Sequence, residues 1–156
     1  MGQVVRGICA LCKKEAELQN SHIIPVLVTN RIKSNPNSRF RSLDNINRVL
    51  QNGETHYMLC HDCEERFSAL ESTFGRFFLD EYLRTETIPT VNDENRLKDY
   101  VLSVAWRVLW NDLYIMGSFF KESFRGEFEE FEQKLRDYLL NGENDSIFSW
   151  VVYERG

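Results

Sequence analysis

At 156 residues, with 42% hydrophobic and 28% charged positions, the chain can bury a core, and its composition is not that of a disordered tail. No run approaches the length of a membrane-spanning helix and residues 1–8 hold no apolar secretory stretch, so a reducing cytoplasm is the expected compartment, where paired cysteines read as metal ligands. The net charge of −5 is uneven: residues 1–60 carry eight Lys or Arg against four Asp or Glu (+4), and the remainder eleven against twenty (−9), which excludes loose nucleic-acid binding by the whole chain but leaves a basic N-terminal part.

Residues 4–11 mix β-formers with a glycine, and Cys9-Ala10-Leu11-Cys12 then makes a tight turn suited to a metal. Residues 17–24 are expected to return as a short strand, with Pro25 limiting its pairing. Residues 29–52 are rich in Asn, Ser and Arg, contain Asn35-Pro36-Asn37, and read as a long irregular insertion. Arg31, Lys33, Arg39, Arg41 and Arg48 lie in it and supply most of the N-terminal positive excess. Asn52-Gly53 is a turn signal, and residues 55–59 form a brief strand that delivers Cys60.

Helical character begins near Cys63: Phe67, Leu70, Phe74, Phe77 and Phe78 fall at helical spacing, with Gly75 a weak point. Residues 85–92, which include Ile88-Pro89, mark the expected boundary between two parts. Asp93 has the chemistry of an N-cap for a helix reaching about Met116. That helix carries Val101, Val104, Ala105 and Val108 on one side and Leu102, Trp106, Leu109 and Leu113 on another, a pattern that predicts burial on several sides. Phe124, Phe128, Phe131, Leu135 and Tyr138 make a single stripe on a third helix, stopped at Asn141-Gly142. Residues 147–153 read as a strand that needs a partner: the N-terminal strands, another chain, or a further part of a longer protein from which it was cut.

The chemistry lies in two pairs, Cys9-x-x-Cys12 and Cys60-x-x-Cys63, which are all the cysteines present. Four thiolates close a tetrahedral shell around one Zn²⁺ and leave no position for a substrate, so the expected ion is structural. Redox-active CxxC motifs are the competing reading. The 47 residues between the pairs exceed compact zinc-ribbon spacing, so a segment is inserted between the knuckles. The second pair runs straight into helical sequence, which suits a treble-clef arrangement of knuckle, hairpin and helix.

Between the knuckles stands Ser21-His22-Ile23-Ile24-Pro25. With the four-cysteine frame, this stretch resembles the HNH endonucleases, whose ββα-metal core follows its first knuckle with an acidic residue, His, Ile or Val, any residue and Pro. The resemblance covers about residues 9–66. It implies His22 as the general base that activates water against a phosphodiester, with Mg²⁺ or Mn²⁺ offsetting charge on the phosphate. Ser21 stands where that family has an acidic metal ligand, Thr55 where it has Asn, and Glu64 where the helix has His or Asn. Glu64 and His56 are the implied replacement ligands.

The expected fold is therefore α+β: a zinc-stabilised, treble-clef, ββα-metal-like module over 1–84, then a helical region with a C-terminal strand over 85–156. The expected function is an HNH-like metal-dependent endonuclease on DNA, RNA being the alternative substrate. Catalysis would rest on His22, His56 and Glu64, and phosphate contact on Arg31, Lys33, Arg39, Arg41 and Arg48. The resemblance implies a bacterial or phage origin and a role in phage defence or its counteraction. Two alternatives stand beside it. One is a catalytically inactive zinc module that binds nucleic acid or a protein. The other is an interaction subunit that docks, or self-associates, through its acidic aromatic-rich helices.

Overall fold

The computed structural model describes residues 4–33, 40–41, 47, 49–50, 53–90, 94–117 and 122–142. Strand β1 (Arg6–Ile8) pairs antiparallel with β2 (Glu15–His22), and β2 pairs antiparallel with β5 (Thr55–Cys60), giving a three-stranded sheet in the order β1-β2-β5. Helix α1 (Val26–Lys33) and a two-residue pairing of β3 (Phe40–Arg41) with β4 (Val49–Leu50) occupy the connection between β2 and β5. The expected irregular insertion thus begins as a helix. Pro25 accounts for this, since its fixed φ suits a helix start and its carbonyl accepts from the Val28 and Thr29 N–H groups at 3.0 and 3.1 Å.

The β2–β5 pairing shifts register between Gln19 and Asn20, so Leu59 faces Gln19, Tyr57 faces Asn20, and Met58 is the extra residue of a bulge. Its free carbonyl accepts from the Ala10 N–H at 2.7 Å. The bulge therefore ties the first cysteine turn to the strand that carries the second. It also lets three consecutive residues, Met58, Leu59 and Cys60, all be buried.

From β5 the chain enters α2 (His61–Phe74) without a loop. It continues through a π-helical turn at Gly75–Leu79 into α3 (Asp80–Thr85). The weak point read at Gly75 is this turn: the Asp80 N–H reaches back five residues to the Gly75 carbonyl. Glycine suits the place because a Cβ there would stand 3.1 Å from Leu27 Cδ2 of α1.

Helix α4 (Glu94–Tyr114) and helix α5 (Glu122–Asn141) complete the described residues. On α4 one buried side carries Leu102, Trp106 and Leu113 and an adjacent one Ser103, Arg107 and Asn111, whereas Val101 and Ala105 are exposed, so burial reaches more than one side but the expected Val101 and Ala105 side is not among them. Among the described residues α2 meets α4 at Tyr100 and Arg107, and α5 meets it at Trp106 and Asp99. The stripe on α5 is likewise divided: Leu135 and Tyr138 are buried, while Phe124, Phe128 and Phe131 are 50%, 37% and 42% exposed. The helix ends where expected, with Gly142 at φ +71° and its N–H on the Tyr138 carbonyl. The expected strand over 147–153 and the Asp93 cap lie outside the described residues.

One buried cluster runs across the proposed boundary, from Cys9, Leu11 and Leu59 through Phe67 to Trp106 and Leu135. Phe67 sits at its middle, edge-on to Trp106 with centroids 5.8 Å apart. The Trp106 indole N–H donates to buried Glu132 at 2.7 Å, which fixes α5 against α4. None of the described helices is long and apolar enough to cross a membrane. Phe67→Ala should lower unfolding free energy by about 3–5 kcal/mol, read from urea denaturation, because the cavity opens between sheet and helices.

Candidate metal centre

The two cysteine turns meet. Cys9 and Cys12 lie on the turn between β1 and β2, Cys60 ends β5, and Cys63 is in the first turn of α2. All four sulfurs lie within 4.8 Å of one another, and none is in a disulfide. Four sulfurs at about 2.3 Å from a central Zn²⁺ would stand about 3.8 Å apart, and Cys12 Sγ to Cys60 Sγ is 3.8 Å. The group can hold a metal ion such as zinc.

Backbone groups shape the pocket. Cys9 N–H bonds to the Lys14 carbonyl at 2.9 Å and Lys13 N–H to the Cys9 carbonyl at 2.9 Å. Lys13 takes the left-handed conformation at φ +61°, closing the turn where a glycine would be less strained. The Cys60 N–H points at Cys9 Sγ at 3.3 Å, and α2 opens with its positive dipole end toward the sulfurs.

Crowding splits the thiols. A hydrogen bond from Cys63, then backbone N–H groups, push the Cys9 thiol down to about 4 against the opposing effect of burial. Burial, with help from the neighbouring sulfurs, pushes the Cys12 thiol up against a backbone hydrogen bond from Lys14. The Cys63 thiol is pushed up by its bond to Cys9 and by burial. Uptake of a divalent cation must displace the protons that Cys12 and Cys63 retain at neutral pH.

Beside this centre stands the histidine strand. Ser21 is fully buried and its hydroxyl donates to Glu64 Oε2 at 2.6 Å, a short charge-assisted bond from β2 to α2. Ser21 faces His56 across the sheet and His22 faces Thr55. Successive side chains alternate, so His22 shares its face with exposed Asn20 and Tyr57, opposite the Ser21 face. His22 is half-buried, and its ring makes no hydrogen bond among the described residues. Its backbone is held: the carbonyl accepts from Arg107 Nη1 at 3.2 Å, and the next N–H, of Ile23, donates to the Glu54 carbonyl at 3.0 Å.

His56 is placed differently. Its Nε2 lies 2.9 Å from Glu54 Oε1, with the Trp110 ring centroid 6.5 Å away. Glu54 Oε2 in turn accepts from Asn111 Nδ2 at 3.3 Å. Burial, then the Glu54 charge, raise the Asp112 carboxyl. Among the described residues the four cysteines are the one group of three or more His, Cys, Asp or Glu with ligand atoms gathered within 4.8 Å, so His22, His56 and Glu64 do not meet at a common point. Arg31 and Lys33 fall in α1 and Arg41 in β3, with their side chains outside the description, and Arg39 and Arg48 lie outside the described residues.

The chain matches no family model, no curated protein and no solved structure. The site is therefore read from its own geometry, which adds residues that composition did not single out. Glu54 is two positions from His56, the spacing that puts both on one strand face. Ser103, Arg107 and Asn111 recur every four residues in a largely apolar helix, a buried polar stripe beside Trp106.

Cys60→Ser should reduce bound metal well below one ion per chain and lower stability by several kcal/mol, checked by elemental analysis and thermal unfolding. Metal affinity should rise with pH through the neutral range, because Cys12 and Cys63 give up protons on binding. Calorimetry in buffers of different ionisation enthalpy should count about two or more protons released near pH 7.

Proposed function

We propose that the four cysteines hold one structural Zn²⁺ in a treble-clef frame, and that the frame presents His22 as the general base of an HNH-like phosphodiesterase acting on DNA or RNA. One observation carries the reading: His22 has its backbone anchored on both sides while its ring is bonded to nothing among the described residues. A histidine kept for the fold would have its ring satisfied, as His56 does with Glu54. The order β2, β5, α2 supports the same reading, since it is the ββα order of that family with a connection inserted between the strands.

In this proposal the His22 imidazole takes the proton of an attacking water. Mg²⁺ or Mn²⁺ would supply positive charge to the phosphate and the leaving oxygen. Glu64, bonded to Ser21 on the face of β2 opposite His22, and His56, bound to Glu54, would not hold that ion beside His22. Arg31, Lys33, Arg39, Arg41 and Arg48 meet the backbone phosphates of the substrate.

A second reading has its own observation. Ser21 and Glu64 stand where the family resemblance implies ligands of the catalytic ion, and here they bond to each other directly at 2.6 Å. That favours a zinc module that binds nucleic acid or a protein without cutting it. Plasmid nicking with Mg²⁺ or Mn²⁺ separates the two. The nuclease should nick, and His22→Ala should reduce the rate roughly 10²- to 10⁴-fold while zinc content and thermal stability stay near wild type. A wild-type protein that never nicks DNA or RNA with either ion is the binder; a His22→Ala protein that loses zinc or unfolds makes His22 structural.

A further inference from the structure

We propose that Arg107, on α4, is a positioning residue for His22, with Glu71 on α2 as its counter-charge; this rests on the reading of His22 as a base. Arg107 is fully buried. Burying a guanidinium is costly, and an apolar residue of similar volume would stabilise a core as well or better. The charge therefore needs a role that packing alone does not explain, and its bonds indicate one. Nη2 donates to Glu71 Oε1 at 2.8 Å, Nη1 to the His22 carbonyl at 3.2 Å and Nε to the Ser103 carbonyl of its own helix at 3.4 Å. The guanidinium also lies 5.0 Å from the centre of the Phe67 ring, which limits its tilt.

This planar fork joins three elements at one point. Strand β2 ends at His22, and the carbonyl there is met by a donor 85 residues further along the chain. One residue earlier, Ser21 is tied to Glu64 of α2. The peptide carrying His22 is thus held from α2 on one side and from α4 on the other, and the ring is the part left to move. Arginine suits this because its donors diverge in a rigid plane, so Glu71 and the His22 carbonyl are served together. Lysine could keep the ion pair with Glu71 but has no fork to hold both acceptors in register. The C-terminal helices would then complete the site on the N-terminal module as well as its core.

Arg107→Lys separates the two roles, because it keeps the charge and removes the fork. It should retain about one zinc per chain and unfold cooperatively. Its kcat for nicking should fall roughly 10- to 100-fold with KM little changed. The Cε1–H resonance of the His22 ring and the Ile23 amide resonance should shift. If Arg107→Lys folds and holds zinc but nicks at the wild-type rate with both resonances unmoved, Arg107 is only a core ion pair and the proposal falls. If that variant does not fold, Glu71→Gln is read in the same way: it keeps an acceptor of the same shape and removes the counter-charge, so the same shifts are expected and their absence overturns the proposal. Should the wild type fail to nick with any divalent ion, the nuclease reading fails by itself, and the His22 and Ile23 resonances decide whether Arg107 positions the strand end.

Discussion

Four thiols packed within 4.8 Å of one another cannot all ionise without a cation among them. The contact that lowers the Cys9 thiol raises that of Cys63, and a cation among the sulfurs would stabilise all four as thiolates. Much of the fold depends on this cluster. The first turn is joined to the sheet by the Ala10 bond to the bulged Met58 carbonyl, and the second turn is itself the start of α2. Helix α2 brings Phe67 to Trp106, and Trp106 brings Glu132 and α5. A loss at the sulfurs is thus transmitted to helices that contribute no ligand.

The core between these elements includes buried polar and charged side chains. Ser21, Arg107 and Glu132 are all fully buried, and each is paired: with Glu64, with Glu71 and the His22 carbonyl, and with Trp106 and Arg136. Buried pairs of this kind stabilise little in net terms but penalise any packing that separates the partners. Their effect is to select one seating of α4 and α5 against the sheet, which hydrophobic contact alone leaves loose. Arg66 adds to this by donating to the Leu139 and Leu140 carbonyls at the end of α5.

Two histidines near the metal centre sit in different environments. His56 is fixed by Glu54, whose other oxygen is engaged by Asn111, so its ring belongs to a network linking β5 to α4. His22 has its main chain fixed and, among the described residues, its ring unengaged. Within that network Asn111 Oδ1 is buried and, among the described residues, has no partner, a local cost.

Features governed by short-range pattern were legible before any fold was known. Two CxxC turns, the strand that delivers Cys60, the helix after it and the Gly142 stop each depend on neighbouring residues and fixed backbone geometry. The mixture of a small sheet with helices followed from the same local signals. Helix α1 is not legible locally because Val26–Lys33 is rich in β-branched residues and contains Asn30, while its start depends on Pro25. Which sides of α4 and α5 are buried could not be read from apolar stripes, since Val101 and Phe124 satisfy the same periodicity as Leu102 and Leu135. The bonds of Ser21 to Glu64 and of Arg107 to His22 span 43 and 85 residues. No periodicity encodes such pairs. They exist because the bulge in β5 and the four sulfurs set where α2 begins, and the core on α2 then sets where α4 can lie.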